Sequence, residues 1–160
     1  DTAVLRSDQV RHMDVLGYVA RASGVPVDAR VDHPFVDLGP DFHIITEPDG
    51  DVRARFLVRY YELGISASVI ADLVRRLDGR LGDVTRSGRS SGAGFGVVEA
   101  WRGTLCHRVE VSDGSITRLK VVDPSWFNWP ALPQALTDTI VPDFPLANKS
   151  FNLSYAGNDL

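Results

Sequence analysis

Phe56, Leu63, Ile70 and Leu77 recur every seven residues, and Tyr60, Ala67 and Val74 follow the first three by four. This spacing predicts one long helix, roughly Val52 to Leu77, with a continuous apolar stripe along it. Asp49 or Asp51 is placed to cap it, after the turn Glu47-Pro48-Asp49-Gly50, and Asp78-Gly79 to end it. Such a stripe needs a cover: other helices, the chain's own tail or a second copy. On the other side Arg55, Arg59, Glu62 and Ser66 form a polar stripe at spacings of three or four. It reads either as a solvated face with an Arg59–Glu62 pair or as a buried contact with a neighbouring subunit. Gly64, unfavourable inside a helix, is expected to mark close approach of another backbone.

Before this helix, Ser7 or Asp8 can cap a short helix bearing Val10, Met13, Val15 and Leu16, stopping near Gly17 or Gly24. Residues 20–34 are punctuated by Gly24, Pro26 and Pro34 and carry Arg21, Asp28, Arg30, Asp32 and His33. They read as a loop held by ion pairs, on the surface or at a site. His43 to Thr46 is a plausible short strand. After the long helix, residues 82–94 are rich in Gly and Ser and read as a connector. They lack the Gly-Lys-Ser/Thr of a phosphate-binding loop.

Phe95 to Trp101 alternates as a strand, Arg102-Gly103 turns a corner, and Leu105, His107, Val109 and Val111 alternate along a second strand. Asp113-Gly114 is a type I′ hairpin signal, so Ser115 to Val122 returns as the third strand of a meander. Asp123-Pro124 ends the sheet, the segment Trp126 to Pro130 leads into a short helix near Ala131 to Leu136, and the tail from Ile140 looks irregular. The fold class expected is therefore α+β: a helical part (1–81), a connector (82–94), and a meander with helix and tail (95–160), all one fragment of a larger subunit. The start at Asp1, in mid-pattern and without Met, agrees with an excised piece.

With 160 residues and 44% apolar content, the chain has the makings of one packed core. A net charge of -4 and the lack of a basic block argue against a nucleic-acid surface. No apolar run is long enough to span a bilayer. The single cysteine, Cys106, excludes an intrachain disulfide and a Cys-rich metal or iron–sulfur site within these residues. Cys106 and His107 are strand neighbours, which point to opposite faces, and therefore make no thiolate–imidazole pair. His12, His33, His43 and His107 show no ligand spacing, and no nucleophile elbow is present. Arg102 stands apart: a guanidinium at a strand end, among large apolar neighbours, presents a charge that never loses its proton.

The run Glu99-Ala100-Trp101-Arg102-Gly103-Thr104-Leu105-Cys106-His107 resembles the Glu-Ala-Pro-Arg-Gly-x-Leu-x-His motif of nickel–iron hydrogenase large subunits, which recurs in the quinone-site core subunit of respiratory complex I. Asp123 to Pro130 is similar to the Pro-x-x-Trp-Asn segment of the same families. Arg21 to Gly24 with Asp28 and Arg30, and Asp51 through Arg55, Arg59, Glu62 and Ser66, resemble their helical region. The chain is identified as a C-terminal part of a large subunit of this superfamily, nearest the formate hydrogenlyase-type, complex I-related hydrogenases.

The resemblance implies a membrane-associated electron-transfer complex, peripheral at the cytoplasmic face, with an iron–sulfur small subunit and membrane-arm subunits as partners. It also implies a nickel–iron centre or a quinone as the family's cofactor. It points to Arg102 and His107 as pocket-lining catalytic positions and to Glu99, Arg102 and Asp159 as cofactor-binding ones. The family's second Cys-x-x-Cys pair falls on Ser154 and Gly157. Serine is a poor ligand for a soft metal and glycine offers no side chain, so no metal ligand and no cofactor is expected in this fragment. Trp101 replaces the usual proline. Two roles follow: an oxidoreductase subunit without its nickel ligands, or a structural subunit that docks electron-transfer and membrane partners through the polar stripe and the Trp-rich segment. Alone, the fragment should be inactive and prone to self-association.

Overall fold

The computed structural model describes residues 1–77 and 90–159. Short helices α1 (Ser7–His12), α2 (Gly17–Arg21) and α3 (Ala29–Asp32) precede the long helix α4 (Val52–Arg76). Strands β1 (Gly92–Ala100), β2 (Gly103–Ser112) and β3 (Ser115–Val122) form one antiparallel sheet in that order. Helices α5 (Ser125–Asn128), α6 (Ala131–Ala135) and α7 (Phe144–Phe151) follow. The architecture is the expected α+β arrangement. The tail is built of short helices: α7 begins with Pro145 in its first turn and ends at Asn152 in the left-handed region (φ 48°).

Local signals act where the sequence puts them. Asp51 accepts from the Ala54 amide at 2.7 Å and caps α4, and Asp113 and Gly114 take φ values of 52° and 76°, the two positive angles of a type I′ turn. The stop at Asp78-Gly79 and residues 82–89 of the connector lie outside the described residues, and β1 already begins at Gly92. Two expectations fail. The first helix ends at His12, Asp14 turns with φ 52°, and Gly17 opens a separate helix instead of closing one. Residues 43–46 pair with no strand, because the only described sheet is the meander far along the chain.

The core joins Leu5, Val10, Tyr18 and Val19 to Ala54 and Val58 of α4 and to Leu132, Ala147 and Phe151 of the C-terminal helices. The sheet adds nothing to it. Helix α4 therefore turns its polar stripe inward: Arg55 is fully buried, donating to the carbonyls of Ala3 (2.9 Å) and Gly50 (2.7 Å) and to Ser150 Oγ (2.9 Å), with its guanidinium over the Phe151 ring. The heptad residues Phe56, Tyr60, Leu63, Ile70, Val74 and Leu77 are all exposed. The tail packs on the other face and leaves them bare. A buried guanidinium with three acceptors fixes the rotation of the helix, which hydrophobic periodicity alone places the other way round.

Candidate functional site: the Arg102 corner and the tail

The β1–β2 corner meets α2 through backbone. A Cβ on Gly17 would collide with the Arg102 carbonyl oxygen and lie 2.5 Å from Gly103 Cα, and Gly17 (φ +68°) and Gly103 (φ +135°) both occupy the glycine-favouring region. Asn128, fully buried at the end of α5 within the Trp-rich segment, grips the same α2 entrance: its Oδ1 accepts from the Leu16 amide (2.8 Å) and its Nδ2 donates to the Leu16 carbonyl (3.1 Å). The segment's asparagine is therefore a backbone clamp. With the corner so fixed, Arg102 donates from Nε to the carbonyl of Asn152, the residue that caps α7, which joins the corner to the tail.

Tyr18 lies beneath this junction and donates its hydroxyl to the carbonyls of Ser150 (2.9 Å) and Phe151 (2.5 Å). Burial raises the Tyr18 phenol to about 12, against the opposing pull of Arg59, Arg55 and Arg102. Burial likewise lowers Arg55 to about 10, opposed by Tyr18 and Asp51. Arg59 lies with its guanidinium carbon 5.4 Å from the Tyr18 ring centroid and 4.7 Å from that of Trp101. The Arg59–Glu62 pair expected from the sequence does not form.

Glu62 goes instead to Arg21, Oε1 to Nε at 2.7 Å, in contact but without hydrogen-bond alignment. Arg21 is itself buried and pairs through Nη1 with Glu99 (2.8 Å) and Asp28 (3.3 Å), while Arg30 forks onto Asp28 at 2.6 and 2.9 Å. Glu99 also accepts from the Ala29 amide (3.1 Å) and the Thr104 hydroxyl (3.3 Å). Burial raises the Glu99 carboxyl above its ordinary value, opposed by Arg21. Burial would raise Asp28 too, but the hydrogen bonds from Arg30 and the charge of Arg21 outweigh it and hold that carboxyl low. The loop of residues 20–34 is thus held by ion pairs as expected, and they are buried. The polar stripe of α4 is not simply a solvated face: Arg55 is buried in the core and Glu62 reaches Arg21 within the chain.

The candidate residues do not converge on one point. Glu99 lies opposite Thr104 and His107 opposite Gly96, so strand parity puts Glu99 and His107 on opposite faces of the sheet. Asp159 is exposed beyond the tail's last helical turn. Ser154 Oγ accepts from the Gly157 amide (2.9 Å), and the Ser154 amide donates to Ser125 Oγ (2.9 Å). A Cβ on Gly157 would stand 2.6 Å from Asp123 Cγ. Beside this contact a cleft of about 290 Å³ opens between the end of β3, the Trp126 and Phe127 side chains and Gly157–Asn158. Among the described residues no group of three or more His, Cys, Asp and Glu is disposed to hold a metal ion, and no helix is long and apolar enough to cross a membrane. Sequence reasoning does not single out Arg59, Tyr18 or Trp101 as site residues; the one signal is that Trp101 stands where the motif has proline.

Residues 1–90 match the family described as the respiratory-chain NADH dehydrogenase 49 Kd subunit. The chain belongs to this family. It is 34% identical over 155 residues to a subunit of the F(420)H(2) dehydrogenase of Methanosarcina mazei, covering 88% of this chain and 40% of that protein. It is 30% identical over 151 residues to a subunit of an NADH-quinone oxidoreductase of Solibacter usitatus, covering 89% and 40%. A solved archaeal respiratory membrane complex, the membrane-bound sulfane sulfur reductase, contains a chain that superposes with a TM-score of 0.80 at 27% identity, over 99% of this chain and 46% of its own. The chain thus spans about 40% of the length of the curated relatives it matches.

Proposed function

We propose that this chain forms part of the large core subunit of a membrane-associated, complex I-like electron-transfer complex, and that its tail does not ligate a nickel–iron centre. The observation that carries the second half is the packing at Gly157. A cysteine there would need its Cβ where Asp123 Cγ already lies at 2.6 Å, and the Ser154 hydroxyl is occupied by the Gly157 amide. A soft metal needs thiolates, and neither position supplies one. The residues present do not fit a nickel–iron group.

Electron transfer in such a subunit would take place beside an iron–sulfur partner at the cytoplasmic face, with a quinone as the family-implied acceptor. Arg102 would supply fixed positive charge at the junction of corner and tail, with Glu99 and the buried network positioning it from behind. His107 and Asp159 would contribute only if residues outside this chain complete the pocket. A docking role is favoured by one specific feature, the exposed heptad seam of α4.

The test uses the purified complex containing this chain. Arg102→Ala should lower quinone turnover by about tenfold or more, and the complex should hold no stoichiometric nickel. Bound stoichiometric nickel would overturn the ligand argument. Unchanged turnover would remove Arg102 from the mechanism and leave docking as the role.

A further inference from the structure

Among the described residues Arg59 and Arg102 form no ion pair, although the chain carries a net charge of -4. Arg102 uses one donor among the described residues, on the Asn152 carbonyl. Arg59 is half-buried against two rings, and its Nε–H is buried without an acceptor among the described residues. Arg59 packs on both Tyr18 and Trp101, and Arg102 follows Trp101 at the corner and reaches Asn152 beside the Tyr18 hydroxyl's partner Phe151, so the two cations share one neighbourhood. Glu62, three residues after Arg59 on α4, and Glu99, three before Arg102, are paired with Arg21 instead. A buried donor left without an acceptor, beside further uncompensated positive charge, is costly until a negative group reaches it.

We propose that Arg59 and Arg102, with Trp101 as an apolar wall, form a binding site for a carboxylate carried on an apolar body. The guanidinium fork offers parallel in-plane donors that match the two oxygens of a planar carboxylate. Trp101, with 55% of its surface open, gives the rest of the ligand a ring to lie on. Two sources share this chemistry: a small aromatic or aliphatic acid, and an Asp or Glu side chain of another protein segment. The inference rests on this corner's geometry and on neither the family's cofactor nor the loss of nickel ligands.

The test is a titration of the purified chain with sodium benzoate, neutral benzamide, inorganic phosphate and N-acetyl-glutamate amide, read by NMR shifts of the Trp101 indole N–H and the Arg59 and Arg102 Nε–H. Saturable benzoate or glutamate-amide binding at these three groups is expected, weakened about tenfold in Arg59→Gln and in Arg102→Gln. Tighter benzoate binding assigns the site to a small acid, and tighter glutamate-amide binding to a protein side chain. Equal binding of benzamide would overturn the proposal by showing a merely apolar surface, and phosphate binding as tight as benzoate would overturn the carboxylate assignment. Absence of saturable binding to the unmodified chain overturns it outright, whatever the variants do.

Discussion

Two clusters of guanidiniums flank α2, and they are satisfied in opposite ways. At its C-terminal end Arg21 and Arg30 meet three carboxylates, Asp28, Glu62 and Glu99. Beside Tyr18, Arg55, Arg59 and Arg102 meet carbonyls, a hydroxyl and aromatic rings, with Asp51 acting on Arg55. The first cluster supplies its own counter-charges and ties α2, α3, α4 and β1 together. The second has positive charge to spare and lies where corner and tail join. One is suited to hold the fold, the other to receive something from outside it.

The largest effect should come from breaking the complete cluster. Arg21→Ala leaves Asp28 and Glu99 buried without their shared cation, and removing one partner of a buried ion pair costs about 3–5 kcal/mol. Urea denaturation should show a loss of that size, with the hydrogen-exchange protection of α3 and β1 falling together. A loss below about 1 kcal/mol would mean that the network is ornamental and that the comparison with the second cluster has no structural side.

These clusters also explain what can be read from the sequence. The α4 cap at Asp51, the Asp113-Gly114 turn and the meander depend on neighbours a few residues apart, and local chemistry decides them. The rotation of α4 depends on Arg55 finding the Ala3 carbonyl 52 residues away and Ser150 Oγ 95 residues away, and no periodicity encodes that. The heptad pattern marks the helix but not the face this chain buries, because the seam's partner is no described segment of it. Arg102 is legible by resemblance. Arg59 is visible as one member of a polar stripe and of the resembling helical region, but not as a site residue, since its rings come from Tyr18 and Trp101.

A smaller effect separates two carboxylates within the complete cluster by pH. Asp28 is held below its ordinary 3.8, so its stabilisation is present above that value and is lost as pH falls through the depressed one. Glu99 is raised above 4.5, so its contribution is fully present below 4.5 and is lost as pH rises through the raised value. Stability measured across about pH 3 to 7 should therefore lose part of its acid limb in Asp28→Asn and part of its decline above 4.5 in Glu99→Gln. Parallel profiles for the two variants would show that Arg21 does not distinguish them.

The smallest effect belongs to the incomplete cluster, and it decides which way the polar stripe of α4 faces. Arg59→Gln should cost only about 0.5–1 kcal/mol: it removes two cation–ring contacts and no ion pair, and it relieves a buried donor that had no acceptor. Glu62→Gln breaks the contact with Arg21 and should cost more. If Arg59 and Glu62 acted as the helical pair their spacing permits, the double variant would cost less than the sum of the two. Because Glu62 is turned to Arg21 and Arg59 to the rings, a double-mutant cycle should return a coupling within about 0.3–0.5 kcal/mol of zero. A clear coupling would join the two clusters into one, leave Arg59 already neutralised and remove the spare charge on which carboxylate binding depends.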